Sequence, residues 1–157
     1  MSGLAKQMAK LKDKLLDEIF NKEYKKMGYR SDVAYMIKFH KAEDYWGFIA
    51  ESTADPDTSM CWDKDEYSSF KQNDGELAIQ FGADQVKWYD GYPDVQCHMK
   101  LWWKASERED NQKGMCDGFF VRIGEDPDDV EERQFGEEPP FDYINIHREI
   151  ETMWGYK

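Results

Sequence analysis

The sequence predicts an α+β fold, a long N-terminal amphipathic helix with a curved antiparallel sheet of about five to seven strands. Apolar residues recur at helical spacing from Leu4 to Met27, and beyond Gly28 the period falls from 3.6 to 2. The connections between the alternating segments are also short, which favours antiparallel pairing because parallel crossovers need a dozen or more residues each.

The helix is expected first. Leu4, Met8, Leu11, Leu15, Ile19, Phe20, Tyr24 and Met27 line one face, with Ser2 as cap and Gly28 as stop. Its other face holds Lys6, Lys10, Lys12, Lys14, Lys22, Lys25 and Lys26, broken by Asp13, Asp17, Glu18 and Glu23. That mixture reads as the solvated face of a helix packed across a sheet, since a membrane-surface helix needs interfacial aromatics and a more uniformly cationic side.

Val33, Tyr35, Ile37 and Phe39 then alternate with Ala34, Met36, Lys38 and His40. Residues 45–50 follow the polar turn at 41–44 as a second extended run, which completes a hairpin. Further strands are expected at 59–62, 76–81, 85–89, 95–104, 118–123 and 141–147, with turn chemistry at 73–75, 82–84, 90–93 and 107–114. A short terminal helix at 148–154 would close one edge. Residues 124–140, GEDPDDVEERQFGEEPP, hold eight acidic residues against Arg133 alone and are expected as a long exposed loop.

One globular domain spanning residues 1–157 is expected, long enough to bury roughly two-thirds of its unfolded surface. With 40% hydrophobic and 15% aromatic residues, the net charge of -12 does not mark a disordered acidic tail. No stretch approaches a membrane span, and lysines interrupt the apolar residues at the start, so a cytoplasmic location is expected. Cys61, Cys97 and Cys116 are odd in number and lack ligand-like spacing, which suits free thiols in a reducing compartment.

Catalytic motifs are mostly absent. The chain has no phosphate loop, G-x-G-x-x-G, H-E-x-x-H, G-x-S-x-G or C-x-x-C. Asp126, Asp128 and Asp129 resemble the start of a calcium loop, yet Glu131 stands where the sharp turn requires glycine. His40, His98 and His147 are the plausible metal or proton-transfer set, but nothing in their placement brings them together, and on a regular strand Cys97 and His98 face opposite ways. No cofactor and no metal site are therefore expected.

Charge says more about partners. Residues 1–30 carry eight Lys or Arg against four Asp or Glu, while the rest carries thirteen against twenty-nine. An acidic body repels phosphates and forfeits counterion release, so direct nucleic-acid binding is unlikely. The expectation is a non-enzymatic acidic domain that binds a basic macromolecular partner, with inhibition or nucleic-acid mimicry as the sharper forms of that reading. Its expected contact residues are Glu125, Asp126, Asp128, Asp129, Glu131, Glu132 and Phe135, together with Asp90, Tyr92 and Asp94. Mimicry demands carboxylates on rigid elements, and Asp55, Asp57, Asp63, Asp65, Glu66, Asp74, Glu76 and Asp84 are candidates to continue such a track through Asp90 and Asp94. The rival is a small-molecule-binding protein or enzyme with an aromatic pocket built from Tyr35, Trp88, His98 and Trp102. Oligomers are a further possibility, because a basic helix on one copy attracts an acidic body on another.

Overall fold

The computed structural model describes residues 7–11, 28–63, 70–111, 114–146 and 150–155. Residues 7–11 are helical, and the remainder of the expected helix over 4–27 lies outside the described residues. The placement of the long helix is corrected. Among the described residues the longest helix runs from Pro93 to Asn111, across the segment 95–104 expected as a strand.

Strand β1 (Ser31–Phe39) leads into helices α1 (Ala42–Ala54) and α2 (Ser59–Asp63). The hairpin β2 (Lys71–Asn73) and β3 (Ala78–Val86) comes next, then α3 (Pro93–Asn111) and the hairpin β4 (Cys116–Gly124) and β5 (Val130–Phe135). A 3-10 turn (Phe141–Tyr143) introduces a small hairpin of β6 (Ile144–Ile146) and β7 (Ile150–Thr152). Among the described residues the main sheet has five strands in the order β2-β3-β1-β4-β5, and every neighbouring pair is antiparallel. β3 thus lies between β1 and β2, and β1 between β3 and β4, the interleaved split β-α-β connectivity of ferredoxin-like sheets.

Helical period explains the reassigned segments. In α1 the buried residues are Tyr45, Phe48 and Ser52, and in α3 Val95, His98, Leu101, Trp102 and Ala105 recur every three or four positions. Pro93 suits the first turn of α3 because its missing N–H has no partner to lose there, and Asp94 complements the positive helix end. The run at 59–62 belongs to α2, residues 82–84 lie within β3, and 150–152 form a strand rather than a terminal helix. The stretch 124–140 is not one loop either, since β5 occupies its centre and pairs with β4.

Each face of the sheet has its own core. On one, Val33, Tyr35, Ile37, Phe39, Phe81 and Phe120 lie beneath the three helices; on the other, Ala34, Met36, Phe119 and Val121 meet Ile144 and Ile150. Burying each large side chain contributes roughly 1.5–3 kcal/mol, against a backbone ordering cost of about 1–2 kcal/mol per residue. Gly118 lets the Phe135 ring lie directly on β4, because a Cβ there would collide with that ring. The buried Glu109 carboxylate accepts the N–H groups of Gly114, Met115 and Cys116 at 3.1, 3.0 and 3.1 Å, which ties the end of α3 to the start of β4.

Candidate functional site

One end of the sheet gathers the start of β1, the end of β3, the start of α3 and the β4–β5 turn, because Ser31 pairs with both Val86 and Gly124. The turn is closed by backbone hydrogen bonds from Gly124 N–H to the Asp129 carbonyl at 2.8 Å and from Asp129 N–H to the Asp126 carbonyl at 3.0 Å. Its main anchor is the Asp129 side chain. Arg122 donates to both carboxylate oxygens, at 3.0 and 2.7 Å, and the Tyr29 hydroxyl donates at 2.6 Å. That hydroxyl also accepts the Asp126 N–H at 3.0 Å, while Arg30 N–H donates to Glu125 at 3.0 Å. The paired carboxylate raises the Arg122 pKa, and burial, followed by the Asp129 hydrogen bond, raises that of Tyr29.

Asp129 therefore faces inward, and Glu125, Asp126, Asp128 and Glu132 remain exposed around it. Glu131 is half-buried and lies 3.7 Å from Arg133. Phe135 is buried against Trp102, with ring centroids 4.8 Å apart, so its expected place among the contact residues is corrected: it belongs to the core. Asp90 and Tyr92 are exposed and Asp94 is half-buried at the start of α3. Tyr92 packs on Tyr89 at 4.9 Å, and Tyr89 lies in the fields of Arg30 and Glu125. The two acidic groups far apart in the sequence thus share one rim.

The longer carboxylate track is broken up. Asp55 and Asp57 bind Lys104 and Lys100 at 2.9 and 3.5 Å, and Glu51 binds Lys104 and Arg108, so these acids neutralise a basic stripe on α3. Asp74 accepts from the Tyr45 hydroxyl at 2.8 Å, and Glu76 from Lys38 at 3.1 Å. Asp65 and Glu66 lie outside the described residues.

The aromatic pocket is corrected as well. Tyr35, Trp88, His98 and Trp102 do converge, with the Tyr35 hydroxyl 2.8 Å from His98 Nδ1 and ring centroids of 5.9 Å for Trp88–His98 and 6.2 Å for Tyr35–Trp102. They are 0%, 8%, 2% and 1% exposed, so they fill the helix-side core instead of lining a groove. Trp103 points outward because the segment is a helix, and Arg133 lies over its ring at 5.1 Å.

Sequence reasoning missed a polar cleft of about 570 Å³ at the opposite end of the sheet, between the end of β1, the start of β4, the β2–β3 turn and residues 138–143. His40 Nε2 lies 3.0 Å from the buried Asp117 carboxylate there. Burial pushes the Asp117 pKa up, and the charge of Glu109 adds to it, against the Glu138 N–H hydrogen bond and the nearby His40, which pull it down. The Tyr143 hydroxyl and Lys38 both donate to Glu76, at 2.8 and 3.1 Å, which holds the Glu76 pKa down. Proximity of His40 to a strand end was the one available signal, since its partner is distant in sequence. His147 lies outside the described residues, and among them no group of three or more His, Cys, Asp or Glu is arranged to hold a metal ion. Among the described residues no helix is long and apolar enough to cross a membrane.

Comparison with known proteins finds no matching family model, curated protein or solved structure.

Proposed function

We propose that this chain is a non-enzymatic acidic binding domain that docks a basic macromolecular partner through the rim formed by the β4–β5 turn and the start of α3. The observation that carries the reading is the braced turn: Asp129 is clamped by Arg122 and Tyr29, while Glu125, Asp126 and Asp128 project outward from it. Braced carboxylates present a fixed pattern of charge without the ordering entropy a soft loop would lose on binding. Tyr92, 41% exposed and packed on Tyr89, supplies an aromatic contact to this acidic rim. Blocking a nucleic-acid groove of the partner is the form of inhibition this pattern suits best, because such a groove is itself built to receive fixed negative charges.

The test is the association rate of a captured basic partner with the wild type, with a Glu125→Lys, Asp126→Lys, Asp128→Lys variant and with a Glu43→Lys control on α1. Electrostatic steering accelerates encounter by about 10 to 1,000-fold, so the triple reversal should slow association at least tenfold at low salt and the control far less. Equal association rates for the triple variant and the wild type would remove the rim from the interface.

A second reading rests on the cleft. A buried carboxylate that orients a half-exposed histidine is suited to proton transfer to a small polar ligand, and Lys38, Glu76 and Tyr143 provide further polar groups. Under this reading, ligands found by small-molecule screening shift the His40 ring resonances and lose affinity in Asp117→Asn; hits that leave both unchanged count against it.

A further inference from the structure

Cys61 and Cys97 are 36 residues apart in sequence, yet their sulfurs are 2.7 Å apart, closer than two sulfurs in ordinary contact. Both are reduced and buried, at 2% and 4% exposure. Cys61 lies on α2 and Cys97 in the first half of α3, so the contact joins two separate elements.

We propose that Cys61 and Cys97 are a redox pair that closes to an intramolecular disulfide when the protein meets a peroxide, stapling α2 to α3. The two sulfurs have distinct surroundings. The Cys61 N–H donates to Cys97 Sγ at 3.1 Å, so a thiolate at position 97 has a backbone donor already in place. Hydrogen bonding from Cys61 lowers the Cys97 pKa, and the charge of Lys100 acts in the same direction. Cys116 is the opposite case, since burial together with Glu109 and Asp117 pushes its thiol up to about 12. Cys97 is thus the attacking sulfur, Cys61 the resolving one, and Cys116 the inert thiol.

The chemistry balances in two steps. The Cys97 thiolate displaces hydroxide from hydrogen peroxide and becomes a sulfenic acid. Cys61 then attacks that sulfur, the S–S bond forms, the sulfenic hydroxyl leaves with the Cys61 proton as water, and the proton that Cys97 gave up on becoming a thiolate neutralises the hydroxide of the first step. Two thiols are oxidised by two electrons, and one peroxide is reduced to two waters. A small oxidant suits sulfurs this buried better than a bulky disulfide does. The neighbourhood is held on both sides of Cys61, because the Thr58 hydroxyl donates to the Ser52 carbonyl at 2.6 Å and the Trp62 indole N–H donates to the Ser52 hydroxyl at 3.0 Å. Closure needs the sulfurs to approach only to about 2.0 Å.

The experiment treats the full-length reduced protein with hydrogen peroxide, unfolds it in N-ethylmaleimide and reads the intact mass and the linked peptides. The expected result is one maleimide adduct in place of three, a Cys61–Cys97 peptide and full reversal by dithiothreitol. In Cys61→Ser, dimedone should trap sulfenic acid on Cys97 at least about tenfold more than it traps Cys61 in Cys97→Ser. Three adducts retained after peroxide, a bond through Cys116, or equal dimedone labelling would overturn the proposal. The wild-type mass decides the matter even if either serine variant fails to fold.

Discussion

Replacing Asp129 with alanine removes the anchor of the acidic turn. The carboxylate accepts three charge-assisted hydrogen bonds, two from Arg122 and one from Tyr29. Such bonds contribute about 1.5–3 kcal/mol each when well shielded. Here the Arg122 and Asp129 side chains are 19% and 32% exposed, so water recovers part of the loss. A net destabilisation of about 2–3 kcal/mol is expected, including the cost of leaving Arg122 half-buried without its counter-charge. For a 157-residue chain this lowers the melting temperature by roughly 4–10 °C. Urea unfolding of the wild type, Asp129→Ala and the exposed control Glu125→Gln measures it. A loss for Asp129→Ala below about 0.5 kcal/mol, no larger than an ordinary surface change, would refute the claim that the turn is rigidly braced.

Three further outcomes follow from the same contacts. Phe135→Ala should cost about 3–4 kcal/mol in urea unfolding, because it empties the space between Gly118 and Trp102; a surface-like cost would return Phe135 to the exposed set. The raised Asp117 pKa makes the folded state hold its proton more tightly than the unfolded state. Its contribution is therefore present below the ordinary value of 3.8 and is lost as the pH rises through the higher folded value. Stability measured from acid to neutral pH should fall less across that window in Asp117→Asn than in the wild type, and identical profiles would contradict the sign. Closing the Cys61–Cys97 bond should raise unfolding stability by about 4 kcal/mol from the 36-residue separation, and an oxidised form no more stable than the reduced one would contradict the estimate.

The alternation of Val33, Tyr35, Ile37 and Phe39 located the central strand, because these residues all face the helix-side core, although β1 is buried on both faces. α1 and α3 were misread for a shared reason: their aromatics suit strands by propensity, and in α3 Val95, Cys97, Met99 and Leu101 mimic a period of two. The competing signals were Pro93 ahead of the apolar run and buried residues three or four apart. β5 was hidden because it is an edge strand whose Glu131, Glu132 and Arg133 leave little apolar content, a composition that also discourages edge pairing with other chains. The acidic character of the rim was legible, whereas the inward role of Asp129 was not, since its partner Tyr29 lies 100 residues away. The same distance effect concealed the His40–Asp117 contact and the meeting of Cys61 with Cys97.

The most direct test of the acidic rim is site-specific photo-crosslinking in the native host, with the photoreactive residue at position 126 or 92 and, as a control, at position 43 on α1. The account predicts a shared basic protein crosslinked from 126 and 92, absent from 43 and lost when Glu125 and Asp128 are changed to lysine. Crosslinks to that protein from position 43 alone, or at equal yield from all three positions, would contradict it.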